Sequence, residues 1–365
     1  MSIDKAQRKS SLELLRIISM VLIIAHHYFV HGNYAVATYE TISVGYVFLQ
    51  ICSMFGRPAC TVFVLITGFF MVDSPCNKHY RKLVLLVSQM LFYASLAALI
   101  VYLVDPSILP GGNLLSVIIN LAKSNWFLFY YCLFYPFIPF VNKWARAMSE
   151  ADYRKFLIVL ILIWSVIPTF FGGIWSFGSY IFFFVSYFIG AYIKLHVYGK
   201  VNYKNAINLY VAIGAIGFIA LSVITCNVLG YIFKANHILE NARYFQEYST
   251  IPSLIFSIFI FLYFVNKDFQ NKLINRIAAT TMGIYILHDT YVLRVILWER
   301  VLPNADYISF PYLHFILKVA AVFVVCCVID FVRGELIGKP CRRWFLKNCD
   351  IWINGVKSRF SSKRS

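Results

Sequence analysis

The chain is 365 residues long, 60% hydrophobic and only 13% charged, with a mean hydropathy of +0.71. A water-soluble domain carries about 25% charged residues, so this composition excludes one and indicates a polytopic membrane protein. The net charge of +17 invites a nucleic-acid partner, but the basic residues fall between apolar runs rather than on one surface. Positive cytoplasmic loops in contact with the lipid bilayer account for them, and no nucleic-acid partner is expected.

Segments of about 20 residues suffice to cross a bilayer, and ten fit the chain: 11–31, 43–72, 83–104, 125–141, 156–172, 177–195, 206–229, 249–266, 279–298 and 309–332. The first follows Lys5, Arg8 and Lys9 as a signal peptide would. It ends in Ala25-His26-His27-Tyr28 rather than a small-residue cleavage site, so it reads as a retained span. The second is too long for one straight helix, and Arg57-Pro58 is the expected division between a short leading piece, 43–55, and a span from about 57. Between the third and fourth spans, Leu114–Lys123 reads as a short interfacial helix leading to Trp126. No repeat or low-complexity tract is evident.

Charge tests this count. With the N-terminus inside, the segments 1–10, 73–82, 142–155, 194–205, 267–278 and 333–365 face the cytoplasm and hold 25 of the 33 lysines and arginines. That asymmetry predicts an all-α bundle of about ten transmembrane helices with both termini cytoplasmic. The domain reading is a transmembrane unit over 1–332 and a basic cytoplasmic tail over 333–365. Of the nine cysteines, most lie inside apolar stretches without a CxxC pair and read as small buried side chains.

Ionisable groups at membrane depth are costly and point to function. In the first span, Arg16 lies about one turn from the cytoplasmic end and His27 near the opposite boundary. Eleven residues separate them, three turns plus about 20°, so they share a face roughly 16 Å apart along the axis. Glu13, three residues before Arg16, is placed to hold its guanidinium. His26 lies about 100° off that face, and His26 and His31 read as residents of the wet interface. Arg57 opens an apolar run near the same side as His27. The ninth span, TTMGIYILHDTYVLR, carries His288 and Asp289 near mid-membrane and Arg294 beyond them, and Asp289 with Arg294 reads equally well as a structural ion pair. In the tenth, Lys318 follows His314 by one turn and reads as facing a vestibule or pairing with a carboxylate. His27 and His31, at i and i+4, have zinc-ligand spacing, but the sequence supplies no third ligand at fixed spacing, so no metal is expected.

Arginine, ten intervening residues and a histidine in the first span resemble the acyltransferase-3 family of bacterial integral-membrane O-acyltransferases. The resemblance continues in order. Arg57 precedes an apolar stretch ending Thr67-Gly68-Phe69, similar to the family's Arg…Ser-Gly-Phe segment with Thr for Ser. The basic stretch Lys78–Lys82 follows the second span. NWFLFYYCLFYPFIPFVN (125–142), SYFIGAYI (186–193) and TMGIYILH (281–288) are similar to later family segments. The resemblance implies transfer of an acyl group, usually acetyl, from acetyl-CoA to a hydroxyl of a surface sugar, polysaccharide or other small acceptor, in the bacterial plasma membrane. The chain leaves no room for an appended extracytoplasmic domain, so the stand-alone form is expected, with a separate extracytoplasmic transferase as an optional partner.

Acyl transfer to an alcohol needs a base and a donor for the developing oxyanion. His27 suits the first task. Arg57 suits the second, with His288 as a second proton-transfer group. Arg16, braced by Glu13, and Arg81 within the basic stretch are the expected contacts of the coenzyme. The competing reading is a transporter or flippase that uses the same charges as a substrate path; the absence of an inverted repeat speaks against it. A membrane sensor or scaffold would leave the ordered polar positions without a use.

Overall fold

A computed structural model describes residues 9–32, 37–74, 76–172, 179–199, 205–301, 303–304 and 310–340, without the side chains of 76–81 and 179. The chain is 85% helical, and no strand occurs among the described residues. α1 (Ser10–Val30) runs through the middle of the bundle. After it come α2 (Val44–Ser53), α3 (Gly56–Met71), α4 (Cys76–Val104), α5 (Leu114–Ser124), α6 (Trp126–Phe134), α7 (Ile138–Ala147), α8 (Glu150–Ile161), α9 (Ile167–Phe171) and α10 (Ser179–Tyr192). α11 (Asn205–Ile232), α12 (Asn236–Glu240), α13 (Ile251–Val265), α14 (Lys272–Ala278), α15 (Thr281–Asp289), α16 (Tyr291–Val295) and α17 (Tyr312–Arg333) complete the bundle.

Among the described residues, eight helical stretches are long and apolar enough to cross a membrane, against the ten expected. A ninth arises if α5 and the run α6–α7 count as one span, but these meet at 91° at Asn125. The expected span 279–298 is not one helix. It stops at Asp289, passes through extended backbone at Thr290 (φ −61°, ψ 128°) and resumes as α16. The expected division of the second span is present: α2 ends at Ser53, and Pro58 sits in the first turn of α3, where its missing N–H has no helical acceptor to lose. The expected interfacial helix is α5, whose first turn is capped by the Asn113 side chain accepting from the Ser116 amide at 2.9 Å. The tail from Cys341 onward lies outside the described residues.

Burial separates centre from rim. The best apolar windows of α1 and of α2–α3 are 61% and 72% buried, those of α11 and α17 only 17% and 22%. Apolar residues on the rim helices, such as Leu221 and Val324, are exposed, as suits helices whose outer solvent is lipid. α1 touches α2, α3, α13, α14, α15 and α17. Small residues set the tightest crossing. A Cβ on Gly68 of α3 would lie 2.3 Å from the Tyr187 carbonyl oxygen, and one on Gly190 of α10 would lie 2.3 Å from that of Leu65. Two glycines thus let two backbones meet, the usual route to close helix packing in a bilayer. The far end of α3 is held by the Asn142 amide on the Met71 carbonyl (2.7 Å) and by Arg146 on that of Val72 (2.9 Å).

A candidate active site where two interrupted helices meet

α15 ends where it does because its last turn is tied off by tertiary contacts. The Thr290 hydroxyl donates to the Ile286 carbonyl at 2.7 Å and accepts from the buried Asn125 amide at 2.9 Å. The Tyr291 amide donates to the Ser124 hydroxyl at 3.0 Å. Ser124 and Asn125 form the bend between α5 and α6, so the two breaks hold each other. Non-helical backbone at membrane depth is tolerated where it is buried in protein or lines a polar cavity, and here Asn125 and Thr290 are buried.

A cavity of about 260 Å³ opens beside this junction. The last turn of α1 supplies His26, His27 and His31, α3 supplies Arg57 and Cys60, and α15 with α16 supplies Tyr285, Asp289 and Arg294. Trp126 and Tyr248 complete the wall. Their rings stack with centroids 6.3 Å apart, and Tyr248 stacks in turn on Trp164 at 6.0 Å. Arg57 forms an ion pair with Glu247 and lies over the Tyr248 ring.

The histidines are ordered by one chain of hydrogen bonds. His288 is fully buried, and its Nδ1 lies 2.6 Å from the Ile284 carbonyl oxygen. A carbonyl can only accept, so that nitrogen carries the proton and the Nε2 of the neutral ring is an acceptor. His27 Nδ1, 3.0 Å from it, is therefore the donor. His27 Nε2 is left as the basic nitrogen of the pair. Asp289 stands behind this arrangement, with Oδ1 3.7 Å from His27 Nδ1, 3.3 Å from His31 Nε2 and 3.6 Å from Arg294 Nη1. The ion pair between Asp289 and Arg294 is thus present, but it belongs to the cavity.

The expected site residues divide into two groups. His27 and Arg57 line the cavity, and His288 reaches it through His27. Arg16 and Glu13 form their expected pair, Nη1 lying 3.0 Å from each carboxylate oxygen, and Arg16 sits over Phe70, away from the cavity. The Arg81 side chain lies outside the described residues. The wet-interface reading of His26 is corrected. His26 is 8% exposed and bound to the Ser53 carbonyl at 2.8 Å, while the His31 ring packs 4.8 Å from that of His27. Asp289 and His31 are among the cavity residues that sequence reasoning left aside. The i, i+4 spacing of His27 and His31 was the available signal; their acidic neighbour arrives from another helix. Lys318 makes no ion pair among the described residues.

A family model described as "Acyltransferase domain", of the acyltransferase-3 type, matches residues 9–331. No match was found among curated proteins or among solved structures. The matched segment runs from the start of α1 to within two residues of the end of α17 and takes in the cavity with every residue that builds it. The chain is a multi-pass membrane protein that belongs to the acyltransferase-3 family of membrane acyltransferases.

Proposed function

We propose that the protein transfers an acetyl group from acetyl-CoA to a hydroxyl of a surface sugar or polysaccharide at the bacterial plasma membrane. Both termini would lie in the cytoplasm, and a separate extracytoplasmic transferase is an optional partner. The observation that carries this reading is the hydrogen-bond chain from the Ile284 carbonyl through His288 to His27, which leaves one basic nitrogen, His27 Nε2, on a residue that lines the cavity.

His27 Nε2 takes the proton of the acceptor hydroxyl as its oxygen attacks the thioester carbonyl. The imidazolium formed is compensated by Asp289, 3.7 Å from His27 Nδ1, much as a buried carboxylate serves a catalytic histidine in hydrolases. Arg57 supplies the cation for negative charge developing on the carbonyl oxygen. As the carbon–sulfur bond breaks, His27 returns its proton to the departing thiolate. Ester and free coenzyme thiol are the products, and no atom is left over. Arg16 Nη1 is engaged by both Glu13 oxygens, which leaves Nη2 and Nε for a phosphate. With Arg81, this end of α1 would hold the coenzyme's charged part about three helical turns, roughly 16 Å, from His27. A donor with its phosphates and thioester at opposite ends of a long arm suits that separation. The wall of Trp126 and Tyr248 suits an acceptor ring.

The test is mass analysis of surface glycans in cells carrying the wild type, His27→Ala or His26→Ala. Loss of an acetyl mass with His27→Ala at normal protein level, and a milder effect of His26→Ala, is the expected result. Unchanged acetylation with His27→Ala removes that residue from catalysis. Acetyl-CoA binding to the purified protein in lipid tests the donor separately.

A further inference from the structure

The same corner of the cavity has the geometry of a metal site. His27 and His31 present one nitrogen each from successive turns of α1, and Asp289 presents an oxygen from the end of α15; the three donor atoms all lie within 4.8 Å of one another. A zinc ion binds imidazole nitrogen and carboxylate oxygen at about 2.1 Å, so tetrahedral ligands sit about 3.4 Å apart. The separations of Asp289 Oδ1 from His31 Nε2 and His27 Nδ1 are 3.3 Å and 3.7 Å. Asp289 is 2% exposed, and its Oδ1 accepts no hydrogen bond. A buried carboxylate oxygen that faces two ring nitrogens at these separations, in no well-aligned hydrogen bond, makes a donor set that fits a cation. The cavity gives access and leaves room for a fourth, water ligand.

We propose that His27, His31 and Asp289 form an inhibitory site for a divalent transition metal of the zinc class, which shuts the acyltransferase off reversibly. Binding at His27 Nδ1 requires a lone pair on the nitrogen that otherwise carries the ring proton. The neutral ring keeps one proton, which moves to Nε2, so no proton is gained or lost. That shift breaks the hydrogen bond to His288 and covers the nitrogen that serves as base. The competitor for the site is Arg294, whose guanidinium neutralises the same Asp289 oxygen from 3.6 Å and is 26% exposed. Arg57, which also lines the cavity, adds to the repulsion. A site that a metal must take from an arginine is one for regulation by metal concentration, not for a permanently held ion. The metal-binding half stands on geometry alone; the inhibition rests on the role of His27 proposed above.

The test uses the full-length protein in lipid nanodiscs, with zinc binding measured by calorimetry and the coordination sphere by the absorption spectrum of the cobalt form. The wild type is expected to bind one ion with a tetrahedral cobalt spectrum. His31→Ala weakens binding at least about 10-fold, and His237→Ala, in an exposed segment away from the cavity, leaves it unchanged. Arg294→Gln tightens it, a gain that misfolding cannot imitate. Absence of one-to-one binding by the wild type overturns the proposal. So does equal affinity in wild type and His31→Ala, or no tightening in a folded Arg294→Gln protein. If binding behaves as stated but zinc leaves acyl transfer unaffected, the metal site stands and the assignment of His27 as base falls.

Discussion

Replacing His288 with leucine separates its role from that of His27. The side chain is fully buried, and leucine is of comparable size, so little space opens. The Ile284 carbonyl remains satisfied by its own helical amide partner, and the main loss is the acceptor for His27 Nδ1–H at 3.0 Å. A hydrogen bond of this kind contributes about 1–1.5 kcal/mol net, which corresponds to a shift of about 5- to 12-fold in the tautomer ratio. Asp289, 3.7 Å from the same nitrogen, is too far to replace that acceptor, so the tautomer with its proton on Nε2 becomes the major one. A fall in kcat of about 10-fold is therefore expected for His288→Leu, against about 10²- to 10⁴-fold for His27→Ala, with KM for the donor unchanged in both. The assay is release of free coenzyme thiol by the purified protein in nanodiscs, with the melting temperature followed in parallel. A loss as deep as that of His27→Ala would make His288 the base, and an unchanged rate would refute the relay.

Three further outcomes follow from other contacts. Gly190→Ala drives a Cβ to 2.3 Å from the Leu65 carbonyl oxygen; overpacking of this kind costs about 1–3 kcal/mol or more, to be seen as a lower melting temperature and lower yield. Asn125→Ala removes the 2.9 Å bond to Thr290, costs about 1 kcal/mol and lowers kcat more than it lowers stability, because Asp289 and Trp126 flank the two breaks; a stability loss with full activity would contradict this. The Asp105 carboxyl, just beyond α4, is held below its usual range by the Ser107 hydroxyl, then by Arg300 at 2.8 Å. Its contribution is therefore complete above the unfolded value of about 3.9 and disappears as pH falls through the lower folded value. The melting-temperature gap between wild type and Asp105→Asn should close on acidification, and a gap that widens would reverse the sign.

The sequence made the first helix legible because its polar groups interrupt an apolar run at a countable register, and the pairing of Glu13 with Arg16 follows from that register alone. Glycines in recognisable segments were visible as well, although only the structure gives Gly68 and Gly190 their reason, a backbone crossing. The break after Leu114–Lys123 was expected, but the interruption at Thr290 was not legible. TTMGIYILHDTYVLR contains no proline, and its one glycine, Gly283, lies in the first turn of α15, far from the break at Thr290. The break is imposed by Asn125 and Ser124 from a distant part of the chain. The expectation of a ninth continuous span failed for that reason, as local pattern carries no information about a tertiary contact. His31 was assigned to the boundary because depth along one helix can be counted, whereas an approaching carboxylate on another helix cannot.

The interruption at Thr290 also sets the electrical balance of the cavity. In a continuous helix, residues five apart point about 140° away from each other, so Asp289 and Arg294 would face different neighbours. The extended residue between α15 and α16 turns the second segment back, and the two charges come within 3.6 Å. A single residue's backbone conformation thereby decides whether the buried carboxylate behind His27 has a counter-charge. A substitution that let Thr290 become helical would leave every charged side chain in the protein and still strand a negative charge in its interior.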